Sequence, residues 1–470
     1  MSLTTGNSAI MVMVVVALFG MLAANFLRSQ SILGEVPYMD EIFHVGQAQA
    51  YCRGEYGVWD PKITTYPGVY LLSSGLHRLW DSRSTARSSC SLGELRFVNI
   101  LLVVVTYMAC VMFRRRVEPE VDAHLNALLI VMYPLSVFYY SLYYTDTAST
   151  CSLVLTYYFA TQRHPKVSQV ALFILSSAAI AVRQTNAVWV LFVIGTNMLQ
   201  QLQDLGKMPP NASADQEPPY LNQLVTFVRA LLSDALMLLR CNVGLLCSVL
   251  WFCIAVLRTG GVVVGDKENH HPVLHLAMPL HLCAVAAAMK GTWGLFGITN
   301  ISSPKGVYTS PGWRDMCFHA LLIAAVSTAL VFGSFEHPFL LSDNRHYTFY
   351  LWKRALRFPI TRLLLGPPYY LCLLFVKRCL SKGGRSSLWI TIFAVACILS
   401  LAPTPLLEPR YWTPGIVVFL LNAPAARLAW ERYAVAASVA VCIAVNAGAQ
   451  YVFLERPFRG VDGAIARFMP

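Results

Sequence analysis

Three groups of residues in this sequence could do chemistry. The first is Pro37-Tyr38-Met39-Asp40-Glu41-Ile42-Phe43-His44. With Pro37 at a first helical position, a helix running to Tyr51 before Gly54 puts Asp40, His44 and Gln47 on one face. A carboxylate there can take a proton as a general base, or it can simply complement the helix macrodipole. The second group is Asp343-Asn344-Arg345-His346 with Lys353 and Arg354. Arginine chelates phosphate through two parallel hydrogen bonds, so this stretch can hold an anion; the plain alternative is an interfacial belt of Tyr, Trp, Lys and Arg. The third group is Tyr144-Thr145-Asp146, Arg183-Gln184, Asp266 and the neighbours Glu408 and Arg410. These are polar residues at the ends of apolar runs. Asp146 and Arg183 can pair with each other near a membrane surface, and Glu408 with Arg410 can anchor two spans.

The elements that position these groups follow from composition. Of 470 residues 56% are hydrophobic and only 13% charged, with mean hydropathy +0.53. Soluble domains are about 25% charged, so lipid is the solvent that fits. The expected fold is all-α: a single integral membrane domain over residues 1–470, a polytopic bundle of about 12–14 transmembrane helices, each needing about 20 apolar residues. The run from Ala9 to Leu27 has no basic cluster before it and no small-residue cleavage site after it, so it reads as a retained first span. The net charge of +12 lies largely in short clusters between apolar runs, which sets topology and excludes nucleic acid as the expected partner.

Arg114-Arg115-Arg116, Arg163 to Lys166, Lys377 to Arg385, and Arg427 with Arg432 all fall on one side of the expected bundle. Positive-inside makes that side cytosolic. Residues 201–227 form a cytosolic linker, and the sequons at Asn211 and Asn300 fall on the same side, where they stay unmodified. The opposite side receives the first loop (residues 28–95), the 335–359 segment and all three polar groups above. Chemistry therefore belongs on the lumenal face. Cys52 and Cys90 share the first loop, where an oxidising lumen permits a disulfide; two unpaired thiols are the alternative. The remaining cysteines show no paired zinc-type spacing. A transporter is the competing class, but no internal repeat is visible and the polar groups gather at one surface, not at the midplane.

Pro37 to His44, Trp59 to Gly68, Leu95 to Asn99, Arg183 to Asn186, Gly265 to Lys267, His337 to Arg354 and the ending Arg467-Phe468-Met469 together resemble the eukaryotic α-1,2-glucosyltransferases of the dolichol pathway. The order of motifs is kept from Pro37 to the C-terminus. The resemblance implies a multi-pass enzyme of the endoplasmic reticulum membrane with GT-C architecture. Its donor is dolichyl phosphate glucose and its acceptor a dolichyl-diphosphate oligosaccharide, and it works at the lumenal face without an obligate protein partner.

Going from a β-linked donor to an α-linked product implies one inverting displacement, which needs a base on the acceptor hydroxyl. The departing phosphate is already anionic and needs cations rather than an acid. Asp40 is the leading base, with Glu41 the alternative if Asp40 orients His44; Asp266 and Asp146 are weaker rivals. Arg345, His346, Lys353 and Arg354 are the expected phosphate clamp, with Asn344, Gln184 and Arg410 in support. Tyr38, Trp59 and Tyr66 either stack on sugar or anchor the interface. Basic side chains can meet a monophosphate unaided, so no metal and no cofactor is expected.

Overall fold

The computed structural model describes residues 2–80, 89–162, 168–209, 218–291, 313–426, 428–460, 463 and 465–470. Asn211, Asn300, Arg427 and the Arg163–Lys166 cluster lie outside the described residues.

The described chain is almost entirely helical. Apolar runs too long and too poor in charge for water satisfy their own backbone groups as helices, the solution lipid demands. Helix α1 (Ser2–Leu33) leads to two short helices, α2 (Glu41–Cys52) and α3 (Gly68–Trp80). There follow α4 (Leu92–Arg114), α5 (Glu120–Val131), α6 (Pro134–Tyr140), α7 (Thr145–Ala160), α8 (Gln169–Val182) and α9 (Asn186–Asp204). Next come α10 (Tyr220–Ser233), α11 (Ala235–Cys241), α12 (Val243–Thr259) and α13 (Ala277–Gly291). The last third holds α14 (Trp313–Phe332), α15 (Pro338–Ser342), α16 (Tyr347–Leu351), α17 (Pro359–Leu364), α18 (Gly366–Lys382), α19 (Ser387–Leu401), α20 (Thr413–Asn422) and α21 (Ala429–Glu455). A short antiparallel pair, β1 (Phe458–Arg459) and β2 (Ile465–Ala466), closes the chain.

The run from Ala9 to Leu27, read as the first span, lies within α1. Among the described residues five helices are long and apolar enough to cross a membrane alone, or up to seven if each bent pair is one span. The bends are sharp: 69° between α5 and α6, where Pro134 cannot continue the ladder, and 81° between α11 and α12. At Arg183 the backbone is extended, so α8 and α9 are separate helices. Asn186 Nδ2 caps the break by donating to Ala179 O at 2.8 Å and to Ser149 Oγ at 2.9 Å. The segment read as a 201–227 linker is partly helical, since α9 runs to Asp204 and α10 begins at Tyr220.

Two ends of the bundle differ in chemistry. At one end Arg114, fully buried, pairs with Glu118 at 2.6 Å and donates to the carbonyls of Leu421 and Ala423. Arg116 caps the end of α7 by donating to Thr161 and Tyr158. At the other end α2, α3 and α4 pack together, and the turns before α2 and α7 share a cavity with residues 339–348 and 406–410. A small core under that end is built from Val45, Tyr51, Tyr70, Leu95 and Tyr143. Cys52 and Cys90 are bonded there, 38 residues apart, tying α2 to the start of α4.

Candidate active site

The acidic motif is placed by an unusual turn. Met39 has φ of 57°, in the left-handed region, which costs an L-residue about 1–2 kcal/mol. Its side chain packs with Phe138, Tyr139, Tyr144 and Phe453. The turn leaves Asp40 at the N-cap of α2, with its backbone N–H donating to Tyr144 Oη at 3.1 Å. The Asp40 side chain is 49% exposed.

Its neighbour Glu41 has the opposite environment. Glu41 is fully buried and receives Arg96 in a two-point pair, Nε at 2.9 Å and Nη2 at 2.7 Å. The backbone N–H groups of Tyr143, at 2.6 Å, and Tyr38, at 2.9 Å, donate to the same carboxylate. All four bonds bind α2, the α4 start and the 141–144 turn into one unit. Glu41, the alternative base in the sequence reading, is thus a structural anchor: its oxygens are committed to four donors and it does not line the cavity.

Asp40 borders a cavity of about 270 Å³. Its walls bring together Asp40, Tyr139, Tyr144, Asp343, Arg345, His346, Glu408 and Arg410, groups from four separate parts of the chain. Arg410 lies at its centre, on a 3-10 turn (Pro409–Trp412). It ion-pairs with Glu408, reaches Asp40 Oδ2 at 3.5 Å and Asp146 Oδ2 at 4.0 Å, and stacks over Tyr139, Tyr144 and Tyr411. Burial works against the Arg410 charge, yet Glu408 beside it raises its pKa well above normal. Conversely, burial pushes the Glu408 carboxyl up, but the Arg410 charge and hydrogen bond, with the His346 and Arg183 charges, together leave it lowered. Both stay charged at neutral pH.

Behind Arg410, Asp146 pairs with Arg183, whose guanidinium stacks over Tyr411 at 5.1 Å. His44 sits one turn beyond Asp40 and shares a 2.6 Å hydrogen bond with Tyr70 Oη. Desolvation dominates its environment and, although Asp40 pulls the other way, lowers its pKa to about 4. The imidazole is therefore neutral at physiological pH.

At the other wall Arg345 chelates Asp343 through Nε and Nη2, both at 2.8 Å. His346 Nε2 lies 3.7 Å from the same carboxylate. Burial raises the Asp343 pKa, but the Arg345 hydrogen bonds outweigh it and leave the carboxyl lowered. The chain end supports this wall: Met469 N–H donates to Arg345 O at 2.9 Å, and Tyr347 N–H to Met469 O at 3.0 Å. Arg467 in turn donates to the carbonyls ending α21, at 2.9 and 2.7 Å.

Other expected site residues are elsewhere. Lys353 and Arg354, read as part of the phosphate clamp, stand on a π-helical turn (Trp352–Leu356) that carries them to the exposed outer surface, over Phe349 and Tyr350. Asn344 is exposed in the preceding turn. Asp266 lies in a separate loop, bonded to Asn269 and His270. Its backbone N–H donates to Pro61 O, so it pins the first loop and does not line the cavity. Gln184 likewise donates to Thr64 O at 3.0 Å. Gln47, on the face expected for Asp40, holds Val58 O and the Asp60 N–H. Trp59 packs edge-on to Tyr70 and Tyr66 to Trp251, while Tyr38 Oη donates to Arg467 O at 2.8 Å. These aromatics build the walls' supports. Among cavity residues, Tyr139 and Met469 had no polar signal in the sequence, Glu408 was legible only as a partner of Arg410, and Asp343 only as the start of the segment read as anion-binding.

Fold and site together define a class: a multi-pass helical membrane protein whose bundle carries, at one end, a charged cavity with an exposed carboxylate on one wall and an arginine–histidine pair on another. Such an arrangement can take a proton from one group while holding an anion at a second. The chain's place within that class is specific: residues 34–421 match the model of the DIE2/ALG10 family, and the chain belongs to that family. A Homo sapiens relative named Dol-P-Glc:Glc(2)Man(9)GlcNAc(2)-PP-Dol alpha-1,2-glucosyltransferase is 30% identical over 467 residues, covering 92% of this chain and 93% of its own. An Arabidopsis thaliana relative of the same name is 29% identical, covering 92% and 94%. Among solved structures, ArnT from Cupriavidus metallidurans bound to undecaprenyl phosphate is similar at 13% identity and a TM-score of 0.35, covering 92% of this chain and 77% of that one. A likeness of that degree carries no argument about the site.

Proposed function

We propose that this protein transfers glucose from dolichyl phosphate glucose, in α-1,2 linkage, to a dolichyl-diphosphate-linked oligosaccharide at the lumenal face of the endoplasmic reticulum membrane. Family membership, with relatives so named over nearly their whole length, supports donor, acceptor and linkage. The observation that carries the chemistry is the single cavity shared by the half-exposed Asp40 and the Arg345–His346 wall. Two features support the lumenal side. The cavity lies at the end opposite the basic residues Arg114 to Arg116, which positive-inside assigns to the cytosol, and the Cys52–Cys90 bond at the cavity end suits an oxidising compartment.

In this reading Asp40 accepts the proton of the acceptor 2-hydroxyl. The freed oxygen attacks the anomeric carbon from the face opposite the phosphate. The anomeric carbon–oxygen bond breaks, and its electrons leave on the phosphate. Arg345 and His346 meet the charge gathering there, Arg345 exchanging one carboxylate partner, Asp343, for the phosphate oxygens. Arg410 holds Asp40 at 3.5 Å without neutralising it, since Glu408 already balances the Arg410 charge.

The test is glucose transfer by purified protein, with dolichyl phosphate glucose as donor and the lipid-linked glycan ending in two glucoses as acceptor. Wild type transfers, and Asp40→Asn slows turnover by roughly 100-fold or more, the scale of a lost general base. A wild type that is inactive while folded overturns the function. An unimpaired Asp40→Asn overturns the assignment of the base.

A further inference from the structure

The opposite end of the bundle carries a second pair of cavities that the transfer reaction does not use. One, about 140 Å³, is lined by Lys290, Arg378, Lys382 and Glu431 with Phe375 and Trp430. Three cations face one carboxylate, and that carboxylate already accepts the Leu428 N–H at 2.9 Å. The other, about 280 Å³, is lined almost wholly by apolar side chains, among them Val285, Ala288, Met289, Val441 and Val445. Both lie between the same two helices. On α13 the lining passes from Ala288 and Met289 directly to Lys290; on α21 it passes from Val435 to Ser438, one helical turn deeper. Along these two helices the charged cavity lies nearer the end of the bundle and the apolar one about a turn deeper.

Lys290 is the informative residue. It is 6% exposed, stands at the last turn of a membrane helix, and its one described hydrogen bond is a long one to Asn126 Oδ1 at 3.3 Å. Among the described residues Glu431 is the one carboxylate lining the cavity, while the neighbouring Glu118 and Asp122 pair with Arg114 and Arg432. A buried cation costs several kcal/mol unless it is matched by an anion, and an ionisable residue inside a membrane helix marks a ligand by default. An anion that carries an apolar tail matches the pair, because the deeper cavity is lined almost wholly by apolar side chains. We infer that the two cavities are the mouth and throat of one crevice that binds an anionic phospholipid, its phosphate held by Lys290, Arg378 and Lys382 and one acyl chain lying between α13 and α21. Basic pockets between membrane helices on the cytosolic side are suited to such headgroups, and the topology proposed above puts the crevice on that side.

The test uses delipidated full-length protein in detergent, with native mass spectrometry and thermal unfolding as readouts. Phosphatidylserine is expected to stay bound and to raise the unfolding temperature, whereas phosphatidylcholine of the same chains does neither. Arg378 and Lys382 are exposed, so Arg378→Ala with Lys382→Ala keeps the fold and should lower phosphatidylserine retention roughly 30-fold, about fivefold for each cation removed. Ala288→Trp blocks the throat with all charges intact and should lower retention as well. Equal binding of phosphatidylcholine, or unchanged retention in either variant, overturns the proposal. Protection of wild type by millimolar inorganic phosphate equal to that by the lipid would make this a free-anion site and overturns it too.

Discussion

Replacing Glu41 by Gln separates an anchor from a base. The carboxylate accepts four donors in a site with no exposure on either partner: two from Arg96, one each from the Tyr143 and Tyr38 backbones. Glutamine keeps one acceptor oxygen and turns an NH₂ group toward donors, so about two of the four bonds are lost. Hydrogen bonds to charged groups are each worth about 1.5–3 kcal/mol, and Arg96 is left buried without a counter-charge. Breaking a buried pair from one side costs about 3–5 kcal/mol, which agrees with the bond count. Glu41→Gln is therefore expected to lower the unfolding temperature and folded yield sharply, while the folded fraction still transfers glucose. Arg96→Met should destabilise similarly. The double variant Glu41→Leu with Arg96→Met should lose less than the sum of the two, because no lone charge remains. The assay is thermal unfolding in detergent, paired with turnover per folded molecule. Wild-type stability with turnover as low as Asp40→Asn would refute the reasoning and move the base to Glu41.

Arg410→Lys replaces a planar fork by a point charge; Asp40 then loses its orientation, and turnover should fall roughly 10–100-fold, read by transfer kinetics on protein of unchanged unfolding temperature. Cys52→Ser opens a loop of 38 residues; chain entropy puts the loss at about 4 kcal/mol, so this variant, and wild type under reductant, should unfold at lower temperature. His44 is a base whose folded pKa, about 4, lies below its unfolded value near 6.5. The unfolded chain binds the extra proton between those values, so stability falls as pH drops from 6.5 towards 4. His44→Gln should flatten that acid limb in pH-dependent unfolding.

Which parts were legible in the sequence follows from how far each signal reaches along the chain. Apolar runs announced α4 and α21 because a span is a local property of about 20 residues. The pairing of Asp146 with Arg183, and of Glu408 with Arg410, was legible because charges at helix ends in lipid must find one another. Period alone could not tell Asp40 from Glu41. Adjacent residues on a helix point about 100° apart, and which direction meets Arg96 depends on α4, roughly 50 positions later. Likewise Lys353 and Arg354 were grouped with Arg345 by proximity in sequence, yet the π turn at Trp352–Leu356 rotates them out of the cavity. The chain end is the reverse case: Met469 has no chemical signature, but it lines the cavity and its backbone brackets Arg345.

Exposure, more than charge, separates the roles of this protein's ion pairs. Glu41–Arg96 and Arg114–Glu118 have no exposed side-chain surface, and each pair spends further hydrogen bonds on backbone or, for Glu118, on Asn126. Such groups cannot release a partner to meet a substrate, because the desolvation cost of a lone buried charge exceeds what one new contact returns. Asp40, at 49%, and Arg345, at 38%, are the partly wet members of the cavity. Each can exchange a protein partner for a substrate group at small cost, since surface-type pairs are worth about 1 kcal/mol or less. Between them stands Arg410, 15% exposed and paired on three sides, too committed to leave and close enough to hold Asp40 in place. A cavity built this way is organised before substrate arrives, and in the proposed transfer Asp40 and Arg345 are the groups that exchange partners.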